Sequence, residues 1–197
     1  MGAPFVPTAR EKHRALFGDA GLLRAQQGGD ARCWLRADTR PCELNFVDLG
    51  SGDGSLLRAA ARDAGYRHAS GYETNPLLAA YSALRSRPNE TVHWQSLWEA
   101  DLDDAHVVFA FGNGPIMDAL GAKLRAELPV GAVVVSNAYE LPQRCFGAPK
   151  DAEFVTTTAV AAGLRDTSSY LFCYEQTAET RAAAAGSRGA HEFYLSR

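Results

Sequence analysis

The sequence has few of the features that mark membrane, metal-binding or nucleic-acid-binding proteins. Its four cysteines form no Cys-x-x-Cys pair, so neither a zinc site nor a disulfide framework is predicted. No apolar run approaches the roughly 20 residues that cross a bilayer. The net charge is −3, whereas a general nucleic-acid binder usually carries a basic surplus. Lysine is scarce, with only Lys12, Lys123 and Lys150. We therefore expect an intracellular protein, cytoplasmic or mitochondrial, without metal, nucleic-acid partner or stable membrane insertion.

From Leu44 onward, short apolar runs alternate with helical segments. Five runs have the composition of strands buried on both faces: "LNFVDL", "HASGYE", "TVHWQ", "AHVVFAF" and "GAVVVSNAY". After Pro142 two further runs, "EFVTTTAV" and "SSYLFCYEQ", indicate a closing antiparallel hairpin, and "HEFYLSR" is a further strand or a tail. The pattern predicts an α/β fold, a single doubly wound and mainly parallel sheet of seven strands. Residues 1–43 are expected to form a short helical extension of the domain that residues 44–197 build.

Helix boundaries can be read from prolines and glycines. Asn75 and Pro76 supply an N-cap and a first helical residue for "LLAAYSALRSR". Pro115 opens a longer helix whose apolar residues recur at helical spacing, and Pro129 stops it. That apolar stripe consists of Ile116, Leu120, Leu124 and Leu128. Near the N-terminus, Gly18 ends one short helix, and "DAGLLRAQQ" predicts a second.

The stretch "VDLGSGDGSLL" joins the first predicted strand to the first helix of the sheet. Glycines stand at every second position, at Gly50, Gly52 and Gly54. Glycine lets a ligand approach the main chain closely, and in doubly wound sheets ligands sit beyond the carboxyl ends of the strands. Glu73 ends the second strand 23 positions after Gly50. An acid at about that spacing accepts hydrogen bonds from ribose hydroxyls. The constellation therefore predicts a nucleoside-binding pocket.

The loop chemistry distinguishes between nucleoside cofactors. The dinucleotide pattern Gly-x-Gly-x-x-Gly would need a third glycine at position 55, which is Ser55. Asp53 adds a negative charge inside the loop, which repels a pyrophosphate at a helix N-terminus. A cofactor with a positive sulfonium and an amino group tolerates that charge better. The loop therefore favours S-adenosyl-L-methionine over NAD.

Several short motifs carry a resemblance to a known family. "VDLGSGDG" followed by "GYETNP" resembles the first two motifs of the class I S-adenosylmethionine-dependent methyltransferases. "PFVPT", "GYETNPLLAAYS", "SLW", "VVFAFG" and "KLRAEL" also occur in the order seen in a family of small protein-lysine methyltransferases. The eukaryotic members of that family include the mitochondrial enzymes that modify the adenine nucleotide translocase and the ATP synthase c-subunit. The resemblance implies a Rossmann-like fold and S-adenosyl-L-methionine as cofactor.

The resemblance also implies cofactor-binding roles for particular residues. Asp48 and the glycine loop would hold the methionine side of the cofactor, and Glu73 would bind the ribose. The segment after the third strand would contact the adenine. The family usually has Asp-Leu-Trp in that segment, where this chain has Ser96-Leu97-Trp98, so Ser96 makes a weaker contact or a neighbour substitutes. The cofactor-binding set so implied is Asp48, Gly50, Ser51, Gly52, Asp53, Gly54, Glu73, Thr74, Ser96 and Leu97.

Two departures from the family pattern fall where the acceptor substrate should lie. "FGNGPIM" follows the fourth strand, where the family tends toward Phe-Gly-Val-Pro-Gln-Met-Met. "SNAYELP" ends the fifth strand, where the family tends to have Arg-Phe-Pro. Asn113 is either a helix N-cap or a residue that orients an acceptor amine. Tyr139 either lines an acceptor channel or packs as a rim aromatic. Trp94 and Trp98 are expected to pack rather than to contact adenine.

The sequence therefore predicts a methyltransferase that acts on a protein lysine. Methyl transfer to an amine needs alignment and a desolvated, neutral nucleophile, and positioning alone supplies on the order of 7 to 11 kcal/mol in favourable cases. Asn113 and Tyr139 are the residues expected to position the acceptor. Methylation of a small molecule or of another protein side chain is an alternative, and so is S-adenosylmethionine binding without catalysis.

Overall fold

Seven strands form one sheet in the order β3-β2-β1-β4-β5-β7-β6. The computed structural model describes residues 8–18, 21–23, 39–156 and 169–185. The strands are β1 (Asn45–Leu49), β2 (His68–Tyr72), β3 (Glu90–His93), β4 (Val107–Ala110), β5 (Val133–Asn137), β6 (Asp151–Val155) and β7 (Ser169–Glu175). The first five pair in parallel, and β7 runs antiparallel to both β5 and β6. The predicted mainly parallel sheet with a terminal antiparallel hairpin is confirmed.

The apolar strands are buried because both faces of the sheet are covered. Phe46, Phe109 and Val135 point to one face, where they pack with Leu16 and Leu57. Their chain neighbours point to the other face and pack with the helix that follows β4. Each such side chain that leaves water stabilises the fold by about 1.5–3 kcal/mol. The near-continuous apolar runs thus follow from a sheet that is covered on two sides.

Six α-helices connect and cover the strands in the described part of the chain. They are α1 (Arg10–Phe17), α2 (Ser55–Arg58), α3 (Pro76–Leu84), α4 (Gly114–Glu127), α5 (Gln143–Phe146) and α6 (Ala178–Ala185). α2 continues as a π-helical segment, Ala59–Asp63, rather than as one regular helix. α1 and α2 lie on the first face of the sheet, and α4 and α5 on the second.

Several predicted helix signals are confirmed by local geometry. The Asn75 side chain caps α3 by accepting from the backbone N–H of Leu77 at 3.0 Å. Gly18 follows the last residue of α1. Of the predicted apolar stripe, Leu120 and Leu124 in α4 and Leu128 directly after it are buried, and Ile116 is half-buried. Most of "DAGLLRAQQ" and all of "HEFYLSR" lie outside the described residues.

The helices are short by the standard of a bilayer. Within residues 8–18, 21–23, 39–156 and 169–185, none of them is both long and apolar enough to span a membrane.

Candidate active site

The glycine loop lies at the carboxyl end of β1, between β2 and β4. Gly50, Gly52 and Gly54 all have positive φ angles, of 107°, 53° and 73°. A Cβ at Gly54 would stand 1.9 Å from Ser82 Oγ, so only glycine fits there. A Cβ at Gly50 would meet nothing within 4 Å, so this main chain borders open space. The loop is therefore packed against α3 on one side and accessible to a ligand on the other.

Glu73 fixes the loop from the end of the neighbouring strand. Its Oε2 accepts the backbone N–H of Gly52 at 2.9 Å, and its Oε1 accepts that of Asn75 at 2.7 Å. Each carboxylate oxygen retains a second acceptor site, as ribose hydroxyls require. The predicted pairing of the loop with an acid at the end of β2 is thus seen as a direct contact.

Three carboxylates gather at the loop. Asp53 Oδ1 accepts the N–H of Ser55 at 2.9 Å and so begins α2. Asp48 is buried in β1, and this burial, together with the charges of Glu73 and Asp53, raises the pKa of its carboxyl to about 8. A cation placed in this loop would stabilise the ionised carboxylates, whereas a diphosphate would be repelled.

The opposite end of this pocket is formed by the segments after β2 and β3. Trp94 Nε1 donates to the carbonyl oxygen of Thr74 at 3.1 Å, and the indole is 68% exposed. Packing in the core is therefore confirmed for Trp98, which contacts the second face, and wrong for Trp94. Ser96 caps the short 3-10 helix that begins with Leu97: its Oγ accepts from the N–H of Trp98, and Glu99 accepts from the N–H of Ser96.

Asn113 lies between β4 and α4, at the same edge of the sheet. It occupies the N-cap position of α4, but its side chain makes no capping hydrogen bond. Its Oδ1 is buried and, in the described part of the chain, has no hydrogen-bond partner. A buried unpaired acceptor is costly, so the capping explanation of this residue loses its support. The amide oxygen is available to an N–H donor from outside the chain.

The end of β5 forms a strained turn beside this position. Ala138 has a φ of 68°, in the left-handed region that non-glycine residues rarely adopt. Its N–H donates to the carbonyl oxygen of Tyr170 at 2.9 Å, and Ser136 Oγ donates to that of Tyr139 at 2.6 Å. The Tyr139 side chain projects from this turn and is 43% exposed. It lies at the edge where the acceptor is expected from the sequence.

Helix α1 adds residues to the site that the sequence analysis did not predict. Lys12 is fully buried, and its Nζ donates to Asn137 Oδ1 and to Ser169 Oγ, both at 2.7 Å. The same Nζ lies 5.9 Å from the ring centroid of Phe111. His13 lies close enough to the glycine loop to be affected by Asp53. Burial lowers the pKa of His13, partly offset by attraction to Asp53 and Asp63.

Strand register sets the distance between the two sides of the site. Ala110 pairs with Leu49 on one side and with Ser136 on the other. One residue further along each strand, Phe111 therefore lies between Gly50 and Asn137. Adjacent strands are about 4.8 Å apart, so the glycine loop and the end of β5 are separated by about 10 Å. Both sides can contact one bound molecule and its reaction partner.

The residues present fit S-adenosylmethionine on four observations. The main chain at Gly50 borders open space, and Ser51 Oγ is buried with no hydrogen-bond partner in the described part of the chain. The surrounding carboxylates suit a cation, and Glu73 offers oxygens to a ribose. Across the described segments, no group of three or more His, Cys, Asp or Glu residues is arranged to hold a metal ion.

The strand order, the antiparallel β7 and the loop after β1 together define a class I methyltransferase fold. Solved structures of that class superpose on this chain. An RNA methyltransferase from Salinibacter ruber, in complex with S-adenosyl-L-homocysteine, gives a TM-score of 0.58 at 22% identity, over 74% of this chain and 88% of its own. A geranyl diphosphate methyltransferase in complex with SAM gives 0.52 at 11% identity, over 68% and 78%. At these identities the likeness establishes the fold alone.

Sequence comparison narrows the class. Residues 48–145 match the ANTKMT methyltransferase domain family. Adenine nucleotide translocase lysine N-methyltransferase of Mus musculus is 43% identical over 102 residues, covering 49% of this chain and 44% of the relative. The lysine N-methyltransferase of the ATP synthase c-subunit from Xenopus laevis is 37% identical over 102 residues, with the same two coverages. The chain thus spans less than half the length of these relatives. The resemblance predicted from the motifs is confirmed.

Proposed function

We propose that this protein is an S-adenosylmethionine-dependent protein-lysine N-methyltransferase. The observation that carries the proposal is the buried, unpaired Oδ1 of Asn113, set beside a glycine loop that is open to a cationic nucleoside. The matching family model spans residues 48–145, which include the glycine loop and Asn113, and the similar relatives are named as lysine N-methyltransferases. These names support a protein with a target lysine as the acceptor.

The cofactor half of the site binds and orients. S-adenosylmethionine supplies an electrophilic methyl group on a positively charged sulfur. Glu73 holds Gly52 and Asn75 in place and would accept from the ribose hydroxyls. Asp48 would accept from the amino group at the methionine end, and Ser51 Oγ would offer a further hydrogen bond at that end. Thr74, Ser96 and Leu97 border the adenine end.

The acceptor half positions and desolvates the lysine amine. An ammonium group that leaves water in this partly buried site loses its proton more readily, which yields the nucleophilic form. Asn113 Oδ1 accepts one N–H of the neutral amine and thereby directs its lone pair toward the glycine loop. Phe111 and Tyr139 exclude water from the path of the side chain. No general base is needed within hydrogen-bond reach, because desolvation lowers the pKa of the ammonium group. The proton passes to solvent before the amine is aligned.

The test is label transfer from methyl-labelled S-adenosylmethionine to a whole-cell protein extract, followed by mass spectrometry of the labelled residues. We expect label on lysine in one or a few proteins. Purified adenine nucleotide translocase and the purified ATP synthase c-subunit serve as additional acceptors, because relatives are named for them. An extract whose lysines have been acetylated beforehand is the control, and it should take up no label.

Other outcomes identify the alternatives. Label confined to small metabolites, or to side chains other than lysine, contradicts the lysine assignment and leaves a methyltransferase. Tight binding of S-adenosylhomocysteine in calorimetry without any label transfer indicates a binding protein rather than an enzyme. Binding of NAD in place of S-adenosylhomocysteine contradicts the cofactor.

A further inference from the structure

The turn that carries Tyr139 has a conformation that its own sequence does not favour. Ala138 adopts a φ of 68°, and such a conformation persists only where the surroundings hold it. The turn therefore needs anchors on both sides. One anchor is the β7 backbone, because the carbonyl oxygen of Tyr170 accepts the N–H of Ala138 at 2.9 Å.

The second anchor is the side chain that immediately precedes the strained residue. Asn137 is fully buried, and its Oδ1 accepts Lys12 Nζ at 2.7 Å and Ser169 Oγ at 3.2 Å. Because Oδ1 accepts from both Lys12 and Ser169, these two contacts fix the orientation of the Asn137 amide. The contact of Asn137 with Lys12 ties the end of β5 to α1, and the contact of Lys12 Nζ with Ser169 Oγ ties both to β7.

Lys12 reaches this position from a rigid support. Leu16, one turn further along α1, is buried on the same face and packs into the first core cluster. The Lys12 stem runs from there past the ring of Phe111 to the junction of β5 and β7. It thereby joins three segments that are 125 and 157 residues apart in the chain.

We infer that Lys12 is a positioning residue for the acceptor side of the site: it holds Asn137, and through Asn137 the strained Ala138 turn that orients Tyr139. This inference rests on the proposed function, since Tyr139 orients an acceptor only if the protein transfers methyl groups. Lys12 itself touches neither cofactor nor acceptor in this role.

The experiment is a double-substitution cycle of Lys12→Met and Ala138→Gly. Methionine keeps most of the lysine stem and removes the donating amino group, while glycine adopts a φ of 68° without strain. We expect Lys12→Met alone to lower kcat/KM for the extract protein that the wild type labels best by about tenfold, with the S-adenosylhomocysteine Kd unchanged. In the Ala138→Gly background the same substitution should cost less than about threefold, because the turn no longer needs the anchor.

A second readout does not depend on activity. Hydrogen exchange of the Ala138 amide reports whether the turn opens. Lys12→Met should speed this exchange by about tenfold, and Lys12→Met with Ala138→Gly should return it to within about threefold of the wild type. This measurement tests the anchor even if the wild type methylates nothing, so failure of the proposed function and failure of the inference can be told apart.

Lys123→Met is the matched control. Lys123 is the other buried lysine of the described residues, and its Nζ donates to the carbonyl oxygen of Ala100 and pairs with Glu127, away from the acceptor edge. It should change neither Ala138 exchange nor kcat/KM. If Lys12→Met fails to fold, Ser169→Ala removes one contact of the same cluster and should give a smaller effect in the same direction. Equal losses in the alanine and glycine backgrounds, or unchanged Ala138 exchange, overturn the inference.

Discussion

The two halves of the candidate site are assembled in opposite ways. In the cofactor half, contacts join residues that are close in the chain: Asp53 accepts from Ser55, and Glu73 from Gly52, 21 positions away. In the acceptor half, Lys12 reaches Asn137 and Ser169 across 125 and 157 positions. The cofactor half is a local supersecondary unit, whereas the acceptor half exists only once the whole sheet has formed.

The difference has a functional consequence. The glycines and the acid of the cofactor half belong to one strand–helix–strand unit, from β1 to the end of β2, in which backbone geometry fixes them. The proposed acceptor half lies where β4, β5, β7 and α1 meet, so we expect substitutions in any of these four segments to change acceptor recognition. Both departures from the family pattern, at "FGNGPIM" and "SNAYELP", fall in this second half.

The largest expected effect comes from breaking the cofactor half. Glu73→Ala removes the acceptor for ribose hydroxyls and leaves the N–H groups of Gly52 and Asn75 without their partner. Hydrogen bonds to charged groups are worth about 1.5–3 kcal/mol each, so affinity for S-adenosylhomocysteine should fall by at least about a hundredfold. Calorimetry measures the affinity, and circular dichroism checks that the fold is intact. Exposed Glu179→Ala is the charge control, and unchanged affinity in Glu73→Ala would refute the pocket.

The cofactor half also differs from the acceptor half in its crowded carboxylates, which should make the stability of the fold depend on pH. The pKa of Asp48 is about 8 in the folded protein and near 3.8 when unfolded, so between these values the folded state holds the extra proton. Stability that this group contributes is full below pH 4 and is lost as pH rises toward 8. The slope is about 1.4 kcal/mol per pH unit, or about 2 to 3 kcal/mol from pH 5 to 7.

Asp48→Asn should remove that slope, because asparagine stays neutral throughout. Urea unfolding of the ligand-free protein at several pH values measures it, and the variant should be more stable than the wild type at pH 8. Asp103→Asn, at an exposed acid outside the site, is the comparison. A wild type whose stability is flat from pH 5 to 7 would show that Asp48 is ionised there. For the same reason, affinity for a cationic ligand should rise with pH in this range.

The acceptor half is tested by Asn113→Ala. Loss of the unpaired Oδ1 should lower kcat about tenfold, because one hydrogen bond in the transition state is worth about 1.4 kcal/mol. The affinity for S-adenosylhomocysteine should stay unchanged. Label-transfer kinetics and calorimetry together separate the two quantities. A variant that loses cofactor affinity instead would place Asn113 in the cofactor half and erase the division between the two.

The same division explains what could be predicted from the sequence. The sheet, the glycine loop and Glu73 were accessible because buried parallel strands, positive-φ glycines and the acid spacing are local patterns. Lys12 was not, because its partners lie on β5 and β7, and a single lysine in a short helix resembles a solvated residue. Its only sequence signal is its place four residues before Leu16, on the buried face of α1. α6 was also not predicted, although "AETRAAAA" is rich in strong helix formers.

Substitution of Trp94 should give the smallest effect. The residue type predicted packing in the core, whereas the indole is largely exposed. Tied to the carbonyl oxygen of Thr74 and largely exposed, the indole lies at the end of the cofactor half that is proposed to hold adenine. An aromatic contact at an exposed edge is worth about 1 kcal/mol, so Trp94→Ala should weaken S-adenosylhomocysteine binding by about fivefold, and Trp94→Phe by less. Trp98→Phe, at a half-buried indole that packs against the core, should instead lower the melting temperature. Equal affinity in all three variants would show that Trp94 faces solvent alone and that the adenine end closes without it.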